Sequence, residues 1–153
     1  MKITLLTVGS VKTDWILRGC NLYSDRLRSP FTFEIVEVSA SKNRDPAKQK
    51  EEESASLLKR LDSLNGSVWA LDEVGKEFTS SSFASELESL SDKGESITFV
   101  LGGAFGLTDS VRDRADRTFA LSKMTFPHEL CRLIFLEQMY RAQEILKGSG
   151  YHH

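Results

Sequence analysis

Hydrophobic and polar positions along the 153-residue chain change period repeatedly, which predicts strands and helices in alternation. Short apolar runs rich in β-branched and aromatic residues are typical of buried strands, whereas apolar positions repeating every three or four residues are typical of helices. The predicted strands cover residues 3–8, 31–38, 68–71, 97–101 and 119–121. The predicted helices cover about 13–28, 46–64, a segment containing Phe83, Leu87 and Leu90, a short segment capped by Thr108 or Asp109, and about 127–147.

The second predicted helix has clear signals at both of its ends. Asp45 can cap it, Pro46 fits its first position, and Asn65-Gly66 ends it. Its leucines at 57, 58, 61 and 64 are expected to face the core, and the acidic run 51–53 is interpreted as its solvated face. Residues 72–76, after the third strand, are predicted to form a loop.

Strands separated by helices of this length predict an α/β fold with a mostly parallel sheet covered by helices on both faces. The chain contains no linker or repeat, so residues 1–153 are expected to form one domain. Ligands of such sheets bind beyond the carboxyl ends of the strands. Three predicted strands are followed by residues that are unusual for simple connections and could contact a ligand. These are Leu71-Asp72, Gly102-Gly103 and 121–126.

Charged residues are distributed unevenly along the chain, which bears on the kind of partner it can bind. A formal net charge of -2 excludes an obviously basic nucleic-acid binder. Residues 1–50 nevertheless carry a net charge of +4 and residues 112–153 a net charge of +2, whereas residues 51–95 carry -7. An anionic partner would therefore meet the two ends of the chain, although a scattered solvated surface explains the same counts equally well.

Several classes of protein are not expected from this sequence. No run approaches the roughly 18 apolar residues of a membrane span, and the first strand is too short and too broken for the apolar region of a signal peptide. The two cysteines, Cys20 and Cys131, lie far apart and fit neither a disulfide framework nor a zinc site. We therefore expect a cytoplasmic protein without membrane association and without a metal.

Two segments are candidates for ligand binding. Gly102-Gly103-x-x-Gly106 lets a ring or ribose approach the backbone, although a purely structural turn explains it equally well. Residues 121–129 read Leu-Ser-Lys-Met-Thr-Phe-Pro-His-Glu, a loop that can enclose a flat apolar ring. Thr125 can cap the following helix, whose positive end would then face the loop. The alternative is an ordinary helix start with Phe126 as a hydrophobic staple.

The end of the chain contains two further features. The last predicted helix is apolar on nearly all sides over 130–136, and too little chain follows to cover it, so we expect a second subunit to do so. Residues 148–153 read Gly-Ser-Gly-Tyr-His-His. They are either a frayed end or tag remnant, or a flexible arm in which Tyr151 stacks on a base and His152 handles a proton.

Together these segments resemble one family along essentially the whole chain. The pattern consists of Met-Lys-Ile at the start, Leu71-Asp72, Phe-Val-Leu-Gly-Gly-x-x-Gly-Leu over 99–107, Leu-Ser-Lys-Met-Thr-Phe-Pro-His over 121–128, Leu-Glu-Gln-x-Tyr-Arg-Ala over 136–142, and the closing Tyr151-His152. It resembles the bacterial large-subunit rRNA methyltransferases of the SPOUT, or trefoil-knot, class. These enzymes methylate N3 of a pseudouridine, nucleotide 1915, in helix 69 of 23S rRNA.

The resemblance implies a C-terminal trefoil knot, an S-adenosylmethionine pocket in the knot, a homodimer and the ribosome as partner. The cofactor contacts that it implies are Leu71, Gly102, Leu121, Ser122, Lys123, Met124, Thr125 and Phe126. The catalytic residues that it implies are His128, Tyr151 and His152. Members usually end in Tyr-His-Lys or Tyr-His-Arg, whereas this chain ends in Tyr-His-His and lacks a fixed cation at its last position.

Methylation at N3 requires that the N3 proton be removed. Histidine exchanges protons near neutral pH, so either His128 or His152 can accept it, unless the enzyme only orients a base that is already deprotonated. The positive charge at the two ends of the chain is modest, and binding of naked RNA depends on many phosphate contacts. An assembled ribosome is therefore favoured over naked RNA as the substrate. Two alternatives remain: a non-enzymatic ribosome-binding protein, which needs no cofactor loop, and another nucleotide-binding α/β protein, for which the segment 9–12 offers few phosphate ligands.

Overall fold

The computed structural model describes residues 1–151, in which strands and helices alternate as predicted. The strands are β1 (Lys2–Val8), β2 (Thr32–Val38), β3 (Ser67–Glu77), β4 (Ile97–Leu101) and β5 (Arg117–Ala120). The helices are α1 (Asp14–Ser24), α2 (Pro46–Leu61), α3 (Ser80–Asp92), α4 (Asp109–Arg114) and α5 (His128–Lys147).

The strands form a single sheet in the order β2-β1-β4-β3-β5, and every neighbouring pair is parallel. Strand β4 lies in the middle with all five residues buried, as expected for a strand that is covered on both faces. The predicted α/β class with a mostly parallel sheet is therefore confirmed. The trefoil knot stays a prediction.

Helices cover both faces of the sheet, which was also predicted. Helices α1, α3 and α5 bury their apolar side chains against one face, around Trp69, Phe99 and Phe135. Helices α2 and α4 cover the other face, around Leu57 and Val111. The rings of Phe99 and Phe135, with centroids 4.8 Å apart, join α5 directly to the central strand.

The apolar stretch 130–136 of α5 is only partly covered within the chain: Phe135 and Leu136 are buried, whereas Leu130, Leu133 and Ile134 are half-buried. The helix packs against both α1 and α3. Its residue Leu133 lies so close to Gly19 of α1 that a Cβ atom there would stand 2.8 Å from the leucine. Helices α1 and α3 therefore cover part of this stretch, and a second subunit over the rest of it stays a prediction.

Several predicted boundaries are wrong, and two of them bear on the contacts of α5 and on the site. Helix α1 ends at Ser24 and not near residue 28, and the backbone N–H of Arg28 instead donates to Oε1 of Gln143 at 2.6 Å. Residues 72–76, predicted as a loop, lie within β3, although the strand bulges there so that both Leu71 and Lys76 pair with Phe119. The bulge carries side chains away from the regular strand and towards the neighbouring loops.

The acidic run on α2 is only partly solvated. Glu51 and Glu52 are exposed as predicted, but Glu53 is 2% exposed. Glu53 precedes the buried Leu57 and Leu61 by four and eight residues, so it lies on the core-facing side of the helix. Its interpretation as a solvated residue is therefore wrong.

Candidate functional site

A cavity of about 470 Å³ lies at the carboxyl ends of three adjacent strands, β4, β3 and β5. Its walls consist of Leu71 with the β3 bulge, residues 101–107 after β4, and much of the segment 121–128 after β5. The volume lies in the range of pockets that hold a small molecule, and the location is where parallel sheets bind ligands. The three strand ends singled out in the sequence therefore meet at one site.

Most of the residues predicted to contact the cofactor line this cavity. They are Leu71, Gly102, Leu121, Ser122, Met124, Thr125 and Phe126. His128 lines it as well. Lys123 does not, because its ammonium group donates to the carbonyl oxygen of Gly75 at 3.1 Å. His152 and His153 lie outside the described residues.

The bulge of β3 holds the loop that precedes α5. The hydroxyl of Thr125 donates to Oε2 of Glu73 at 2.8 Å, and the backbone N–H of Lys123 donates to Oε1 of Glu77 at 3.2 Å. The prediction that Thr125 caps α5 is therefore wrong: Pro127 occupies the N-cap position, and no side chain caps the helix. Together with the Lys123–Gly75 contact, these bonds fix the loop where it borders the cavity.

The glycine segment after β4 folds tightly over itself. Gly103 and Gly106 form an isolated bridge, in which the N–H of Gly106 donates to the carbonyl of Gly103 at 3.1 Å. A Cβ atom on Gly102 would lie 2.7 Å from the backbone of Gly106. A larger residue at position 102 would therefore displace this turn as well as intrude on the cavity. Loss of ligand binding on substitution of Gly102 would therefore reflect packing as well as contact with the ligand.

Charged side chains also line the cavity. Lys50 and Arg112 contribute cations, and Asp72 and Glu73 contribute carboxylates. Arg112 donates to Asp72 at 2.8 Å and also pairs with Asp109, and these bonds raise the pKa of the guanidinium above its ordinary value. Only Asp72 carried a sequence signal, because it follows a buried run.

The first turn of α5 is anchored to the carboxyl end of β1. The buried guanidinium of Arg132 donates to Glu37 at 2.6 Å, to the carbonyl of Gly9 at 2.6 Å and to the hydroxyl of Thr7 at 3.0 Å. The carboxylate of Glu129 accepts from the backbone N–H groups of residues 12 and 13, which lowers its pKa. These contacts fix the position of the neighbouring His128.

Cys131 also borders the cavity but is not an activated nucleophile. Burial and the nearby carboxylate of Glu73 raise the pKa of its thiol. A raised pKa keeps the sulfur protonated near neutral pH, and the thiol is much less nucleophilic than the thiolate.

Tyr151 lies at the other end of α5. Its ring packs edge-on against Tyr140, with centroids 5.0 Å apart, and the guanidinium of Arg141 lies 5.0 Å from its centroid. Tyr140 follows His128 by twelve residues, which is about 18 Å along a helix axis. The structure therefore brings His128 to the cavity but not Tyr151 of the same chain.

Two classes of site are not found among residues 1–151. No group of three or more histidine, cysteine, aspartate or glutamate side chains is arranged to hold a metal ion. Nor is any helix in this range long and apolar enough to cross a membrane.

Comparisons with known proteins identify the family. A family model described as "Predicted SPOUT methyltransferase" matches residues 1–152. Relatives called ribosomal RNA large subunit methyltransferase H are 38% identical over 159 residues in Enterococcus faecalis and 40% identical over 157 residues in Parabacteroides distasonis, with at least 99% of each chain covered. A relative of the same name in Geobacter metallireducens is 38% identical over 154 residues, with 100% of this chain and 99% of its own covered.

The fold has a counterpart among solved structures. A crystal structure of a methylase family protein from Neisseria gonorrhoeae matches with a TM-score of 0.55 over 90% of this chain and 81% of its own, at 12% identity. At that identity the match concerns the fold alone. The resemblance drawn from the sequence motifs is confirmed by the family model and the full-length relatives, and the chain therefore belongs to the SPOUT methyltransferase family and is a methyltransferase.

Proposed function

We propose that this enzyme transfers a methyl group from S-adenosylmethionine to N3 of a pseudouridine in helix 69 of 23S rRNA. The observation that carries the proposal is the convergence of Leu71, Gly102 and the loop 121–126 with His128 on one cavity. The shared name of the full-length relatives supports large-subunit rRNA as the substrate class.

The residues of the cavity fit S-adenosylmethionine. Leucine and phenylalanine side chains at 71, 101, 107, 121 and 126 offer apolar surface to an adenine ring. The carboxylates of Asp72 and Glu73 suit ribose hydroxyls and a positive sulfonium. Gly102 and Gly103 present no side chain, so a ligand can approach their backbone. When bound, the cofactor supplies an electrophilic methyl group on its sulfur.

The side chains of this chain would align the reactants and move one proton. The contacts of Thr125 and Lys123 with the β3 bulge hold the cofactor loop before the substrate arrives. The anchoring of α5 through Arg132 fixes the backbone that carries His128. The imidazole of His128 can accept the N3 proton, because histidine exchanges protons near neutral pH. Alignment of this kind removes much of the entropic cost of reaction.

Methyl transfer from labelled S-adenosylmethionine tests the proposal. We expect incorporation with complete ribosomes from a strain that lacks this modification, and less with free large subunits or naked 23S rRNA. The modified position should stop reverse transcription, because an N3 methyl group blocks base pairing. Absence of transfer to all three substrates, with a folded protein that binds the cofactor, would contradict this substrate assignment.

We further propose that the enzyme acts as a homodimer on cytoplasmic ribosomes. Trp15 and Leu22 lie two turns apart on one side of α1 and are 57% and 46% exposed. Large apolar side chains grouped on an exposed helix face indicate a partner surface. Helix α1 packs on α5, so this surface adjoins the helix for which the sequence predicted a second subunit.

Substitution on this surface should produce monomers. Trp15→Asp or Leu22→Asp places a charge in the proposed interface, and light scattering should find the mass halved at micromolar concentration. Leu17→Asp is the matched control, because Leu17 is 40% exposed but lies on the opposite side of α1. A monomeric wild-type protein would refute the dimer.

A further inference from the structure

Glu53 has a buried carboxylate behind the cavity wall, and none of the roles predicted from the sequence involves this residue. Oε1 of Glu53 accepts from the backbone N–H of Ser41 at 3.0 Å and from the side chain of Gln49 at 3.2 Å. Oε2 is also buried and has no hydrogen-bond partner within residues 1–151. Leaving a buried charged oxygen unpaired is unfavourable, and a glutamine here would avoid much of that cost.

The unpaired oxygen lies against the glycine segment. A Cβ atom on Gly103 would overlap Oε2 of Glu53, so only the Cα hydrogen of the glycine separates the two residues. Gly103 itself lines the cavity. The next residue on α2, Ser54, accepts the N–H of Thr108 at 3.2 Å, so α2 supports both ends of the glycine segment. Glu53 therefore stands directly behind the wall that a cofactor would touch.

No cation makes a direct ion pair with Glu53 among residues 1–151. The side chains that line the cavity include two cations, Lys50 and Arg112, and two carboxylates, Asp72 and Glu73. Salt screens a buried charge much less than an exposed one. The carboxylate thus adds negative potential to the cavity from behind Gly103.

We propose that Glu53 is a positioning residue through which the cavity prefers a cationic ligand, the sulfonium cofactor, over its neutral thioether product. This inference rests on the proposed function, since it assumes that the cavity holds S-adenosylmethionine. Methyl transfer removes the positive charge from the sulfur, so the attraction disappears once the reaction is complete. The same carboxylate would therefore favour binding of the donor and release of S-adenosylhomocysteine.

Calorimetric titration with both ligands tests the proposal. Glu53→Gln keeps the shape of the side chain and removes its charge. We expect the affinity for S-adenosylmethionine to fall roughly tenfold and the affinity for S-adenosylhomocysteine to change less than about twofold, because only the donor carries a positive charge on its sulfur. Glu51→Gln is the matched control, because it removes the same charge from the exposed side of α2 and should alter neither affinity.

The ratio of the two affinities separates the outcomes. An equal loss for both ligands would assign Glu53 a purely structural role and overturn the proposal. Glu53→Asp keeps the charge, and its affinity ratio should return towards the wild-type value. If wild-type protein bound neither ligand, the proposed function would fail together with the inference. If Glu53→Gln did not fold, the wild type should still prefer an analogue with an ammonium group in place of the sulfonium over the thioether, and equal binding would overturn the proposal.

Discussion

Deletion of residues 149–153 should lower methyl transfer to ribosomes at least tenfold, which corresponds to about 1.4 kcal/mol of lost transition-state stabilisation. Tyr151 is held against Tyr140 and Arg141 near the end of α5 and does not line the cavity. The deletion should therefore leave cofactor affinity unchanged. It removes an aromatic ring that can stack on a base and the imidazole of His152 that can handle a proton.

Smaller changes distinguish the two side chains. His152→Ala should reproduce most of the loss if the imidazole handles the proton, whereas Tyr151→Ala should do so if stacking dominates. Deletion of His153 alone is the matched control and should preserve activity within about twofold. Full activity of the truncated enzyme on ribosomes would show that the tail has no role in the reaction.

The location of Tyr151 also predicts which cavity the tail serves. About 18 Å of helix separates Tyr140 from His128, so a tail held at Tyr140 cannot reach the cavity of its own chain. We expect it to act at the cavity of the second subunit. Mixed dimers of a tail-deleted chain and a chain with its cavity filled by Ser122→Trp should then be more active than either homodimer. No recovery in such mixtures would contradict an action of the tail across the dimer.

Substitution of Arg132 should have the largest effect on stability. Arg132→Met keeps a long apolar stem but removes the guanidinium that binds Glu37 and the carbonyl of Gly9. Hydrogen bonds from charged donors contribute about 1.5–3 kcal/mol each, and the buried carbonyl would lose a partner. We expect the free energy of unfolding to fall by about 3 kcal/mol, measured by urea denaturation at a fixed protein concentration because dimerisation adds to stability.

Arg18→Met provides the matched control for this measurement. Arg18 pairs with Asp14 on the surface of α1, with both side chains more than two-thirds exposed. Exposed pairs of this kind contribute less than about 1 kcal/mol, so unfolding should change little. A comparable loss of unfolding free energy in the two variants would show that the burial of Arg132 does not increase its contribution to stability.

Much of the fold was predictable because the relevant signals are local. The five strands and the five helices follow from the period of the apolar positions, and parallel pairing follows from the helix-length connections. The predicted meeting of the strand ends also held, since parallel strands bring their carboxyl ends to one edge of the sheet. The family resemblance rested on contiguous motifs, which a sequence displays directly.

The contacts that the sequence did not predict arose where a side chain has two physically reasonable partners. Thr125 stands where an N-cap residue is expected, yet its hydroxyl binds Glu73, 52 residues earlier. Lys123, whose contact with the cofactor stays a prediction, donates from its ammonium group to the carbonyl of Gly75, 48 residues earlier. The choice between a local and a distant partner depends on where the bulge of β3 lies, and sequence spacing does not contain that information.

The sequence by itself determined the fold class, the order of the elements and the family, because hydrophobic period, turn residues and motifs act over a few neighbouring positions. Only the tertiary structure decided that Glu53 is buried behind Gly103, that α1 and α3 cover part of α5, and that Tyr151 lies away from the cavity. The helical phase shared with Leu57 and Leu61 indicated a buried position for Glu53, but its charge argued for solvent. Packing across distant segments settled that conflict, since burial depends on which elements meet in space.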